Sequence, residues 1–281
     1  MEKSSGILVD TSWLYEHYED QNLKIMEIDT PPLIRLINKY IPNSLLIDWK
    51  NDLWHKTKRD FVVGADFKRL MESLGISNKD AIVCCSTIKQ FATYAYWILK
   101  YNNHKNVRLL NGGPEKWISE GNPVTDKPHR LNEYDKSKYE INDIDSKIRV
   151  FRDYVLQSLQ RNDIILLDAR SPEEYEGNLI NVPELPQEGS LRAGRIPGAI
   201  NIYFEENVHP DGTFKSISDL QQIYSSKKVT AGKEIITYCR MGHRATLIWF
   251  VLSKLLRYKN VKLYDGSWTE WGNLVNVPIR K

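Results

Sequence analysis

Short runs rich in Val, Ile and Leu, "IILLD", "AINIY", "EIITY" and "VKLYD", alternate along this chain with longer segments of helical character such as "RATLIWFVLSKLL". Near-continuous apolar runs predict strands buried on both faces, so the expected fold is α/β, with a mainly parallel central sheet flanked by helices. The pattern also repeats. "SNKDAIVCC" (77–85) lies over "AGKEIITYC" (231–239), and "NVRLLNGGPEKW" (106–117) over "NVKLYDGSWTEW" (260–271), both at an offset of 154 residues without a gap. "YIPNSLLIDW" (40–49) lies over "RIPGAINIYF" (195–204) at 155, whereas Asp29 lies against Asp168 at 139, which puts a 16-residue insertion in the second copy near "INVPELPQEGSLRAG". A duplication sets both the domain count and the register for comparing the halves. Two domains are expected, 1–126 and 148–281, joined by the polar, proline-containing stretch 127–147.

Composition narrows the function classes. Of the 281 residues, 41% are hydrophobic and 27% charged, the balance of a soluble globular protein with a sizeable core. The net charge of +3, from 39 basic and 36 acidic side chains, is too balanced for a nucleic-acid binder but permits a local pocket for a small anion. "MEKSSGILVD" has no charged leader followed by an apolar core, and no apolar run approaches the ~18 residues of a membrane helix, so a cytoplasmic protein without membrane contact is expected. Cys84, Cys85 and Cys239 form no CxxC pair and no zinc-spaced cluster, so neither a disulfide framework nor a metal site is expected.

"IITYCRMGHRATLIWFVL" (235–252) sets Cys239 at the end of a strand-like run and before a helix-like one. In open α/β sheets that turn aims backbone N–H groups into the ligand crevice. The helix dipole, the loop amides, Arg240 and Arg244 all favour an anion, so Cys239 is expected to react as a thiolate. Gly242 allows the backbone angles by which a short loop curls its amides toward one point. The competing reading is a packed strand-end cysteine beside solvated arginines, since cysteine is among the most buried residue types.

"DARSPEEYEG" (168–177), "RAGRIPGAIN" (192–201), "YCRMGHRA" and "DGSWTEWG" (265–272) follow one another in an order that resembles the tandem-domain rhodanese-like sulfurtransferases, among them thiosulfate and 3-mercaptopyruvate sulfurtransferases. The resemblance spans nearly the whole chain. It implies two tandem rhodanese-like domains and a ping-pong reaction without cofactor or metal. Cys239 takes the outer sulfur of a donor such as thiosulfate, holds it as a persulfide, and yields it to cyanide, a thiol or a sulfur-carrier protein. Arg240 resembles the basic residue of thiosulfate-using members, which favours a compact inorganic dianion; 3-mercaptopyruvate is the alternative donor. Arg244 is expected to grip the donor's oxygens, with pairing to a rim carboxylate as the alternative. Met241 shapes the rim, and His243 either assists the anion or is a solvated loop histidine.

Asp168 and Arg170 occupy the family's strand-end D-x-R positions, Asp168 as a brace and Arg170 as a brace or a donor ligand. Trp268 and Trp271 are expected in the core and pocket wall. The vertebrate-type second arginine is replaced here by Glu174, and Arg192 or Arg195 is expected to stand in for it. Cys85 occupies the position of Cys239 in the first copy, but its loop, "CSTIKQF", has no glycine and no arginine. It is expected to be a degenerate site, with a secondary thiol as the sharper alternative. A cysteine phosphatase fits less well, because such enzymes place five residues between Cys and Arg where this chain has four, and a non-catalytic module would have lost Cys239.

Overall fold

In the computed structural model, which describes residues 6–29, 39–129, 137–180 and 189–281, the chain divides into two units, residues up to 145 together with 210–213, and 146–209 together with 214–281. The first unit runs β1 (Leu8–Val9), α1 (Thr11–His17), β2 (Leu23–Asp29), β3 (Ser44–Asp48), α2 (Ala65–Ser73), β4 (Ala81–Cys85), α3 (Lys89–Tyr101), β5 (Val107–Leu110) and α4 (Gly113–Ser119). The second runs β6 (Arg149–Val150), α5 (Arg152–Ser158), β7 (Ile164–Asp168), α6 (Pro172–Glu176), β8 (Ile200–Asn201), α7 (Ile217–Ser226), β9 (Glu234–Tyr238), α8 (His243–Phe250), β10 (Val261–Tyr264) and α9 (Ser267–Trp271). After Phe250, α8 continues as a π-helical turn, Val251–Leu255.

The sheets have the same order, β1-β5-β4-β2-β3 and β6-β10-β9-β7-β8, and their neighbouring strands pair in parallel. β7 and β9 are buried from their second residue to their last, as strands covered on both faces must be. Helix α3 buries residues on nearly every side, so it reads as apolar all round. Val83, Cys85, Leu110 and Trp117 lie in the first core, with Ile236, Tyr238, Trp268 and Trp271 in the second. The offset of 154 carries Trp117 onto Trp271, and both fully buried indoles donate their N–H to a backbone carbonyl, of Pro123 at 2.6 Å and of Pro278 at 2.9 Å. Each thus buries a large ring without stranding its donor.

The expected linker is anchored over part of its length. Tyr139 is fully buried, edge-on to Phe67 and with its hydroxyl 3.0 Å from His104 Nδ1, while Asp145 donates its N–H to the Tyr101 carbonyl. Burial keeps the His104 imidazole below its ordinary pKa despite the Asp80 carbonyl at its other nitrogen, so a neutral ring receives Tyr139. One aromatic among charged neighbours is enough to dock the segment, which average polarity conceals. Residues 130–136 of the linker and 181–188 of the insertion lie outside the described residues. Among the described residues no helix is long and apolar enough to cross a membrane.

Candidate active site

The order β10-β9-β7-β8 reverses its direction of growth between β9 and β7, and the crevice beyond the carboxyl ends of such a strand pair is where open α/β sheets bind ligands. β9 delivers Cys239 to that crevice and β7 delivers Asp168. Cys239 is 1% exposed, and its sulfur accepts the N–H of Gly242 at 3.2 Å. Its own N–H goes to Ser267 Oγ at 3.1 Å. The first N–H groups of α9, which lack helical partners, hold the loop's carbonyls: Trp268 N donates to Cys239 O at 3.0 Å and Thr269 N to Arg240 O at 2.9 Å. α9 therefore acts as the loop's template.

Gly242 has φ +93°, and a β-carbon there would stand 2.6 Å from Asp265 Oδ1. Conformation and space both demand glycine. Asp265 is itself fixed by Arg149, 3.1 Å away. The Gly242 amide and the positive end of α8 supply the potential that a sulfur anion needs. Arg240, Met241 and His243 are buried around it; the solvated histidine of the sequence reading is replaced by a ring packed at the first position of α8.

The arginines divide differently from expectation. Arg170 lies against Asp168 through Nε (3.0 and 3.1 Å) and Nη2 (2.6 Å), gives a further bond to the Gly194 carbonyl at 2.8 Å, and stacks 4.5 Å from the Trp268 ring centroid. Burial works against its charge, but Asp168 more than compensates and holds the guanidinium's pKa above its ordinary value. This is the bracing arrangement. Arg244, expected on the donor, instead makes a two-pronged pair with Glu174 at 2.6 and 2.9 Å. Burial opposes ionisation of Glu174, yet the hydrogen bonds and charge of Arg244, with Arg170 behind it, keep its carboxyl below the usual range. Glu174 also closes the N-terminal capping box of α6 with Ser171. The residue that breaks the arginine pattern thus has two partners of its own.

Arg192 does not replace the missing arginine. Its guanidinium donates to the carbonyls of Trp271 (3.1 Å), Gly272 (3.2 Å), Val277 (3.3 Å) and Leu274, binding the segment after α9 rather than a ligand. Arg195 donates to the Tyr175 carbonyl at 3.2 Å and lies over that tyrosine's ring. An arginine's role follows from which carbonyls face it, and neither case was legible in the spacing. The strand register corrects the expected match of Cys85 with Cys239. Cys84 pairs with Leu109 where Thr237 pairs with Leu263, so Ser86 is the counterpart of Cys239 and the first loop is one residue shorter. Cys85 lies in the first core with its thiol toward the Met26 carbonyl at 3.6 Å. Ile88, at φ −96°, stands where the second copy has Gly242, and its N–H goes to Ser86 Oγ at 3.0 Å. Sequence reasoning missed Ser267, although it aligns with Gly113 in the first copy and that mismatch was the available signal.

Comparison with known proteins agrees with this fold. The model of the rhodanese-like domain matches residues 10–120 and again 151–274. The chain belongs to the rhodanese family. It is 46% identical over 279 residues, 98% of this chain and 96% of the relative, to the sulfur carrier protein TtuD of Thermus thermophilus. It is 39% identical over 275 residues, 97% of this chain and 95% of the relative, to a Saccharopolyspora erythraea protein provisionally named thiosulfate sulfurtransferase. The rhodanese architecture is also that of the anaerobic ergothioneine biosynthesis enzyme of Chlorobium limicola, solved with trimethyl histidine. The TM-score is 0.83 at 22% identity, over 98% of this chain and 70% of that one, which speaks for the fold alone.

Proposed function

We propose that this rhodanese-family protein is a sulfurtransferase that moves a sulfane sulfur from thiosulfate to a thiophilic acceptor through a persulfide on Cys239. The observation that carries the reading is a buried cysteine at the switch point of the sheet, with the Gly242 N–H on its sulfur. The Cys239 thiolate attacks the outer sulfur of thiosulfate, a new S–S bond forms, and the old one breaks with its electron pair leaving on sulfite. The persulfide carries the negative charge. Cyanide or a thiolate then attacks the terminal sulfur, and the pair in the S–S bond returns to Cys239. Arg240 and the amides around Gly242 hold the anion, His243 and Met241 wall the cup, and Asp168, Arg170 and Trp268 form its floor. The names of the two relatives, a sulfur carrier and a thiosulfate sulfurtransferase, support sulfur transfer, and the first favours a carrier protein's thiol as acceptor. Three free cysteines suit a reducing compartment such as the cytoplasm.

The Glu174–Arg244 pair favours thiosulfate over 3-mercaptopyruvate. A donor carboxylate is best held by an arginine fork, and Glu174 already fills that of Arg244 while Asp168 and Gly194 fill that of Arg170. The Glu174→Gln variant is expected to raise the ratio of kcat/KM for 3-mercaptopyruvate to that for thiosulfate about tenfold. An unchanged ratio would remove Glu174 from donor selection. The primary test is intact mass and peptide mapping after exposure to each donor separately. One added sulfur on Cys239 from thiosulfate is expected; no added sulfur from either donor overturns the proposal.

A further inference from the structure

We infer that Ser267 is a positioning residue for Cys239, held in an unfavourable backbone conformation because its hydroxyl takes over a hydrogen bond that the sheet has given up. This rests on Cys239 being the nucleophile. The two copies of the repeat provide an internal comparison. Residue 113, which lies 154 positions before Ser267, is glycine at φ +67°, and a β-carbon there would stand 2.7 Å from the Ser86 carbonyl. Ser267 has φ +54°, in the left-handed region that side chains disfavour. The second copy therefore places a side chain where the first copy has the residue that the backbone prefers.

What the side chain does follows from the strand before the loop. In the first copy β4 ends at Cys85, opposite Glu27, and Ser86 is the first residue beyond the ladder. In the second, β9 stops at Tyr238, opposite Asp168, so Cys239 lies one residue beyond the ladder. Its buried N–H has to find another acceptor. Ser267 supplies it: Oγ accepts from Cys239 N at 3.1 Å and donates to Tyr264 O at 2.9 Å, using both hydrogen-bonding capacities of a fully buried hydroxyl. The relay ties the end of β10 to the first residue of the loop. Ser86, the counterpart of Cys239 in the first copy, also lies one residue beyond its strand, but there the residue set against it is Gly113, which has no hydroxyl to offer. Backbone strain at a residue that holds the reactive group is where strain is kept when a site requires it.

The test uses Ser267→Gly and Ser267→Ala in the full chain. Glycine relieves the backbone but removes the hydroxyl, so Tm is expected to hold or rise while the rate constant for loading sulfur from thiosulfate falls about tenfold, with donor KM unchanged. Alanine keeps the unfavourable φ and loses the hydroxyl, so both quantities are expected to fall. Amide hydrogen exchange at Cys239 needs no donor and is expected to speed up about tenfold in the glycine variant. Loading and exchange at wild-type values in Ser267→Gly overturn the inference, as does a loss of loading that merely follows a drop in Tm. Should the wild type take no sulfur from thiosulfate, the functional reading fails, and the exchange measurement alone then decides the role of Ser267.

Discussion

The Cys239→Ser variant is expected to take up no sulfur from thiosulfate and to lose at least about a thousandfold in turnover, with an unchanged unfolding midpoint. Serine is nearly isosteric, so the backbone bonds from Cys239 N to Ser267 and from Trp268 N to Cys239 O are retained. What disappears is the sulfur atom that the proposed S–S bond requires. The other thiols cannot take its place. Cys84 and Cys85 are fully buried, burial alone pushes the Cys84 thiol far above its ordinary pKa, and Cys85 lies among apolar side chains. Peptide mapping of the variant after thiosulfate treatment is the check. Sulfur recovered on Cys85 in the absence of Cys239 would overturn both the assignment and the degenerate reading of the first site.

The largest expected effect on stability comes from Asp168→Ala, a loss of about 3–5 kcal/mol, read from the shift in the urea midpoint. Asp168 and Arg170 are 0% and 1% exposed, and the carboxylate accepts the Arg170 backbone N–H as well as its guanidinium. Removing it strands a cation beneath Trp268, with the Gly194 carbonyl as a remaining acceptor. Distance alone would not predict this cost. Arg161 and Asp163 also meet at 2.6 Å, but with side chains 44% and 66% exposed their pair is screened by water and adds little to stability. A midpoint shift equivalent to less than about 1 kcal/mol in Asp168→Ala would mean that water or a neighbouring group relieves Arg170.

The offset of 154 residues was the most informative pattern in the chain. It placed Trp117 and Trp271 at equivalent core positions, because core volume is a property of the unit and survives duplication. It also set Cys85 against Cys239, where the strand register sets Ser86, since the first loop is one residue shorter. Gly242 was legible for a similar reason, since only glycine tolerates its φ. Of the charged residues, only the Asp168–Arg170 brace was legible. Arg170, Arg192, Arg195 and Arg244 look alike in sequence, yet one is matched by Asp168, one by Glu174 and two by backbone carbonyls. Asp168 lies only two residues from Arg170 and that brace was readable, but the partners of the other three lie 20 to 85 residues away, where local spacing says nothing about them. Glu174 reads as a vacancy in an arginine pattern and becomes a partner only once α6 packs beside the loop. Tyr139 is hidden for the opposite reason: its neighbours are polar, and its burial depends on His104 and Phe67.

Arg192 bonds to four carbonyls between Trp271 and Val277, and two further hydrogen bonds join Arg280 to Arg195, next to the Gly194 whose carbonyl holds Arg170. Residues 272–280 are therefore a strap beneath the reactive cup, and not a dispensable tail. Proteolytic clipping ahead of Pro278 would remove the acceptor of the Trp271 indole, free Arg195 from its backbone partner and loosen Gly194 under Arg170. A clipped molecule that still carried every residue of the loop would be chemically altered at the site, so batches that differ only in trimming are not interchangeable.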